Sequence, residues 1–227
     1  MKEPLDVLFE DNHLLAINKR AGMLVQGDET GDTPLAEVCK GYIKKTYKKP
    51  GAVFLGVVHR LDRPVSGVVV FARTSKALER MNALFRSRET QKVYWAIARH
   101  KPGVTRGTLV HWLKKDPKKN RTTAFTQETS GALRSELHYQ VLKKKGDRVL
   151  MEVRPITGRS HQIRVQLASV GCPILGDLKY GSSEVTGDGS IALHALNLSF
   201  RHPVKNEMLV IKAAVPDREW WNDFAEK

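Results

Sequence analysis

The sequence predicts an α+β fold built around a largely antiparallel sheet. Three observations carry this. Strand-like segments of period-two apolar alternation far outnumber the helical segments, of which there are about four. The two kinds do not alternate regularly, as they would in a parallel βαβ protein. No low-complexity linker and no long repeat divides the 227 residues.

The elements follow in order. Residues 7–9 and 14–18 read as short strands, and a glycine-rich loop covers 22–32. Thr33 as N-cap and Pro34 as first helical residue make a helix start. Leu35, Val38, Tyr42 and Ile43 then recur at helical spacing. Residues 57–58 are strand-like and lead through 59–67 into an apolar run, 68–72, expected to be a buried strand. Ser75 is expected to cap a second helix whose Leu78, Met81, Leu84 and Phe85 share one face. Beyond it Val93, Trp95 and Ile97 alternate with Tyr94, Ala96 and Ala98, the period of a strand. Further strands fit 108–113, 122–127, 133–142 and 149–154, with basic loops at 114–121 and 143–145. Ser160 is expected to cap a third helix carrying Ile163, Leu167 and Val170 on one face, with Gly171 as its stop. Late strands fit 191–200 and 208–214, and 216–225 reads as a closing helix.

Composition narrows the setting. A 41% hydrophobic and 27% charged chain of this length can bury a core without staples. Its two cysteines, Cys39 and Cys172, exclude a disulfide framework. The longest apolar run is far too short for a bilayer, and the first residues hold no apolar signal core. A cytoplasmic protein without membrane attachment is expected. Net charge is +14, and its distribution is uneven. Residues 1–37 carry three basic and eight acidic side chains, 38–150 carry 26 and seven, and 151–227 carry nine of each. A positive field of that kind favours nucleic acid, while a generically basic surface gives the same total.

No phosphate-binding glycine loop, nucleophile elbow or paired-histidine metal motif occurs, so neither metal nor cofactor is implied. Two polar segments stand out. In His59-Arg60-Leu61-Asp62-Arg63-Pro64-Val65-Ser66-Gly67, arginines flank Asp62 and favour its ionised form. That suits a nucleophile or base, although an ordinary turn aspartate in an ion pair reads the same way. The second segment, 154–164, gathers Arg154, Arg159, Arg164, His161 and Gln162 around a helix N-terminus. Free N–H groups there attract anions and arginines fork onto phosphate; an exposed polar cap is the plainer reading. Arg164, one turn on, faces either solvent or a buried carboxylate.

Together these segments resemble the RluA-type RNA pseudouridine synthases. The resemblance rests on 59–67, on Gln91-Lys92-Val93-Tyr94-Trp95-Ala96 and on Thr157-Gly158-Arg159-Ser160-His161-Gln162-Ile163-Arg164, in the family's order. The stretches 18–22, 171–181, 193–195 and 200–203 match as well, so it covers about 5–215. It implies a mixed, largely antiparallel central sheet with flanking helices and a cleft, and no cofactor. It also implies one catalytic domain over 1–227, without a separate amino-terminal RNA-binding module of the S4 kind. Asp62 becomes the catalytic aspartate, Tyr94 lies against the uracil, and Arg164 pairs with Asp62. Leu167 joins the apolar wall, though helix core explains it equally, and Arg60 enters the RNA where the base leaves. Arg159, His161 and Gln162 belong to the substrate-binding set, and Lys118 and Lys119 to the RNA backbone contacts. The chain departs from the family pattern at Arg20, Val65 and Gln166. Val65 is expected to serve as a packing residue, whereas Arg20 and Gln166 are expected to alter RNA contacts.

The implied activity is isomerisation of one uridine in structured RNA, ribosomal or transfer, by a monomer needing no protein partner. Two rivals remain at this point. A non-catalytic RNA-binding module would keep the basic surface and lose the acid site. The second is a hydrolytic nucleic-acid enzyme such as a base glycosylase or a nuclease; a metal-dependent nuclease would show clustered acids, and the basic middle has only seven, scattered.

Overall fold

A computed structural model describes residues 5–99 and 103–224. In chain order the strands and helices are β1 (Val7–Glu10), β2 (Leu14–Lys19), α1 (Leu35–Thr46), β3 (Gly56–Val57), β4 (Ser66–Ala72), α2 (Ser75–Ser87), β5 (Gln91–Arg99), β6 (Arg106–Asp116), β7 (Arg121–Phe125), β8 (Leu133–Lys145), β9 (Arg148–Pro155), α3 (Gln162–Ser169), β10 (Leu193–Arg201), β11 (Met208–Lys212) and α4 (Glu219–Asn222). A 3-10 turn, Leu178–Tyr180, follows α3. The fold class is α+β, with few helices and ladders that are mostly antiparallel. No helix among the described residues is long and apolar enough to cross a membrane.

The chain forms two compact units. The first holds the residues up to Gln91 together with Ala195–Val215. Its strands run in the order β1-β2-β4-β10, with β3 beside β4 and β11 beside β10. Leu14, Ala16, Val68 and Val70 point to one face, where they pack with Met81 of α2 and with Leu198, Phe200 and Ile211. All seven residues of β4 are buried, so the continuous apolar run is explained by cover on both faces.

The second unit holds Lys92–His194 and Pro216 onward, with its strands in the order β5-β9-β8-β6-β7. Leu113 of β6, Val165 of α3 and Tyr180 form a small core against this sheet. Helix α3 is buried from Gln162 through Leu167, polar residues included.

Several local expectations change. α1 starts at Leu35, because Pro34 is extended (φ −74°, ψ 158°) and the carbonyls of Leu24 and Val25 accept from the Leu35 and Ala36 amides. Thr74, one residue before Ser75, caps α2 by accepting from the Ala77 amide at 3.1 Å. α3 begins after His161, whose backbone is left-handed and makes no side-chain cap, so Ser160 does not cap it. Its C-terminus follows the expectation. Gly171 is left-handed at φ +75°, its amide bonds the Ala168 carbonyl, and the Cys172 amide bonds that of Leu167. The closing helix shrinks to one turn, and residue 225 lies outside the described residues. The lysines at 143–145 stand in β8 instead of a loop, paired with 148–150 of β9.

Candidate active site

In the first unit, the polar segment forms the loop between β3 and β4 that carries Asp62 at a turn. The Val65 amide donates to the Asp62 carbonyl at 3.1 Å, and the flanking Leu61 and Val65 are buried. Val65 is thus a packing residue, as expected. Three further contacts hold the loop. His59 Nε2 accepts from the Val70 amide at 3.1 Å while its ring stacks on Phe85, with centroids 5.0 Å apart. The Gly22 amide donates to the Arg63 carbonyl at 2.8 Å. The Lys19 ammonium donates to the carbonyls of Arg20, Met23 and Arg63 at 2.9, 2.8 and 3.2 Å.

Lys19 is only 1% exposed, at the inward end of β2. Burial pulls its ammonium down to about 7, and the charge of Asp62 pulls the other way. The sequence pattern assigns the positive field around Asp62 to its flanking arginines, but Arg63 is turned to an ion pair with Asp32. Arg60 is exposed. The sequence pattern gives Lys19 no role of its own; its signal is a lysine closing a strand that opens on the apolar run Leu14–Ile17. A cavity of about 450 Å³ lies beside this loop, lined in part by Lys19, Arg20, Met23, Asp32 and Arg63.

In the second unit, Tyr94 lies half-buried in β5, opposite Val153 of β9. Arg164 projects from α3 into the protein interior, 5% exposed. The carboxylate of Asp177, 1% exposed, accepts from its Nε at 2.7 Å and from one terminal nitrogen at 2.9 Å. Of the two options open to Arg164, the buried carboxylate is realised; Asp177 lies in the matched stretch 171–181, to which the sequence pattern assigns no role. The guanidinium carbon also sits 5.1 Å from the Tyr180 ring centre. The Tyr180 hydroxyl accepts from the Thr122 amide at 2.8 Å and meets His161 Nδ1 at 2.8 Å.

The loop before α3 is held by Gln162. Its Oε1 accepts from the Thr157 hydroxyl at 2.7 Å and the Arg159 amide at 3.0 Å, while its Nε2 donates to the Glu136 carbonyl at 3.0 Å. Gln162 is thus buried and engaged inside the protein, and the substrate-contact expectation gives way to one of shaping the Arg159 loop. The expected trio of phosphate-binding arginines also contracts. Arg164 is interior, Arg154 pairs with Glu152 at 2.8 Å, and Arg159 is exposed. Leu167 is fully buried. So is Gln166, whose Nε2 donates to the Leu109 carbonyl at 3.1 Å. Its departure from the family pattern therefore acts inside the core, and the expected RNA contact is corrected.

Lys118 and Lys119 occupy the exposed tip of the β6–β7 hairpin, where Asp116 accepts from the Lys119 amide at 3.1 Å. Neither takes part in an ion pair among the described residues, whereas Lys145 is neutralised by Asp223. No group of three or more His, Cys, Asp or Glu able to hold a metal occurs among the described residues.

A family model described as RNA pseudouridylate synthase matches residues 13–169. An uncharacterized RNA pseudouridine synthase of Synechocystis sp. is 32% identical over 217 residues, covering 94% of this chain and 66% of the relative. Ribosomal large subunit pseudouridine synthase C of Vibrio cholerae is 31% identical over 219 residues, covering 91% and 64%. The uncharacterized RNA pseudouridine synthase YhcT of Bacillus subtilis is 35% identical over 219 residues, covering 93% and 69%. The chain spans just under two thirds of the length of the first two relatives. Among solved structures, human RNA pseudouridylate synthase domain containing 4 is similar at TM-score 0.79 and 26% identity, over 96% of this chain and 90% of that one.

Proposed function

The chain belongs to the RNA pseudouridylate synthase family, and from that premise we propose that it isomerises a uridine in structured RNA to pseudouridine. The observation that carries the reading is the Asp62 turn, fixed from three sides within a signature segment of the family. The N1–C1′ bond of the nucleotide breaks, the uracil turns, and C5 joins C1′. C5 gives up its proton and N1 ends carrying one, so nothing else is consumed. The base must first leave the helical stack, at a cost of a few kcal/mol. Arg60, exposed beside the Asp62 turn, fills the space it leaves.

Asp62 acts as a carboxylate at the sugar, with Arg164 as the cation of the reacting centre and Tyr94 against the uracil. Leu167 shapes the apolar wall from within α3. Arg159 and His161 bind the RNA next to the target, and Lys118 and Lys119 hold phosphates. Relatives named for the large ribosomal subunit make ribosomal RNA the first substrate to try, with transfer RNA second. The protein works as a cytoplasmic monomer without a cofactor.

The test is chromatography of nucleosides from RNA treated with the purified protein. Pseudouridine supports the proposal. Free uracil would indicate a glycosylase, and an unchanged profile with RNA bound would indicate a binding module. Mapping the modified uridines in cells with and without the gene then identifies the position.

A further inference from the structure

We infer that Asp177 is the positioning residue for Arg164, fixing which edge of its guanidinium is offered to the reacting centre. The inference rests on the isomerase reading above, in which Arg164 is the cation of that centre.

Arginine has a long side chain with many rotamers, so an arginine that must meet a reacting group needs its own anchor. Asp177 supplies one. Its two carboxylate oxygens take Nε at 2.7 Å and one terminal nitrogen at 2.9 Å, the parallel fork that sets orientation as well as distance. Any further anion must then meet the guanidinium on another edge.

The anchor is itself fixed. The Asp177 amide donates to the Ile174 carbonyl at 2.9 Å, and its own carbonyl accepts from the Tyr180 and Ser182 amides, both at 3.0 Å. The same turn brings the Tyr180 ring under the guanidinium, and the Tyr180 hydroxyl is tied to Thr122 and His161. Gln162 and Gln166 bind α3 to the backbone of the neighbouring strands. Arg164 is thus restrained at its helix, at its face and along one edge.

A purely structural ion pair explains this less well. Removing two charges from water is expensive, and apolar residues of similar volume usually stabilise an interior as well or better. An always-charged arginine held in a buried fork is suited to presenting its remaining donors in a fixed direction.

The experiment compares wild type, Asp177→Asn, Asp177→Glu, Arg164→Met and the double variant Arg164→Met/Asp177→Asn on one RNA. Asp177→Asn should lower kcat about tenfold to a hundredfold, as expected when a catalytic group is slightly misplaced, with KM within about twofold of wild type. Asp177→Glu keeps the charge and should recover part of kcat. In the Arg164→Met background, Asp177→Asn should add no further loss, since it acts through the missing side chain. A kcat within twofold of wild type in Asp177→Asn, or equal losses in both backgrounds, overturns the inference. If Asp177→Asn does not fold, Asp177→Glu decides: reduced kcat at unchanged KM supports the inference, and wild-type kcat overturns it. Wild-type protein that forms no pseudouridine overturns the isomerase reading and this inference together. Active wild type with an indifferent Asp177→Asn removes this inference alone.

Discussion

Gly67 lies directly against the main chain of Ala195: a Cβ at Gly67 would stand 2.3 Å from the Ala195 carbonyl oxygen and 2.5 Å from its nitrogen. Gly67 also has φ +114°, a conformation in which a side chain is strained. It closes the Asp62 segment where β4 meets β10. Gly67→Ala therefore combines a backbone clash with backbone strain, and should cost roughly 2–4 kcal/mol of stability. A urea midpoint unchanged from wild type would show that β10 can shift to make room.

Lys19 gives stability a pH dependence of known sign. Above about pH 7 the folded protein holds Lys19 neutral, while the unfolded chain keeps that proton to a much higher pH. The unfolded state then binds more protons, so this group makes stability rise with pH by about 1.4 kcal/mol per unit between about 7 and 10. Below that window both states are protonated and the penalty for burying the charge is fully present. Cys39 acts oppositely at the alkaline end, because burial pushes its thiol up to about 12. Lys19→Met isolates the lysine: the difference in stability between wild type and variant should change steadily from pH 7 to 9. The variant also leaves the carbonyls of Arg20 and Met23 short of a donor, at about 1–3 kcal/mol for each that stays buried and unpaired, while the Arg63 carbonyl keeps the Gly22 amide. A difference independent of pH would mean that Lys19 stays charged in the fold.

Asp62→Asn is nearly isosteric and leaves the turn bond to Val65 intact, since that bond uses the backbone. Pseudouridine formation should fall by at least about 10²–10⁴-fold, the range for loss of a base or nucleophile, with RNA affinity and melting temperature close to wild type. Substantial turnover in the purified variant would move the chemistry elsewhere.

The hairpin tip offers a test that does not depend on catalysis. Replacing Lys118 and Lys119 with alanine should weaken RNA binding and flatten the plot of log affinity against log salt. The slope should shrink by about one unit for each phosphate that these two lysines neutralise. An identical slope would mean that this hairpin faces away from the RNA.

Legibility in the sequence followed the range of the interactions. The unbroken apolar run of β4 registers burial locally, and the apolar residues of β5 mark a strand, although its burial follows position along the strand, with Ala96, Ile97 and Ala98 all covered, and does not alternate. The Asp62 loop was visible as a polar island between apolar strands. Helix starts were displaced because the choice between Thr74 and Ser75, or between Ser160 and His161, depends on backbone angles that composition does not encode. Lys143, Lys144 and Lys145 resembled a loop by charge, yet ladder pairing to β9 carries the strand through them. Roles set by distant partners were the least legible. Arg164 meets Asp177 thirteen positions away, Lys19 meets Arg63 across 44, and Gln166 reaches Leu109 across 57. Nothing local marks such pairs.

The first unit is discontinuous in the chain, and this has a consequence for its biogenesis. β4 leaves the ribosome early and finds β2 and the short β3 already made, but β10, its neighbour on the edge that β2 does not take, begins only at Leu193. At about 5–20 residues per second, the wait is on the order of ten seconds. Throughout it, an apolar strand destined to be buried on both faces presents an open edge. The nascent chain, more than the finished protein, is where a second copy can take the place of β10.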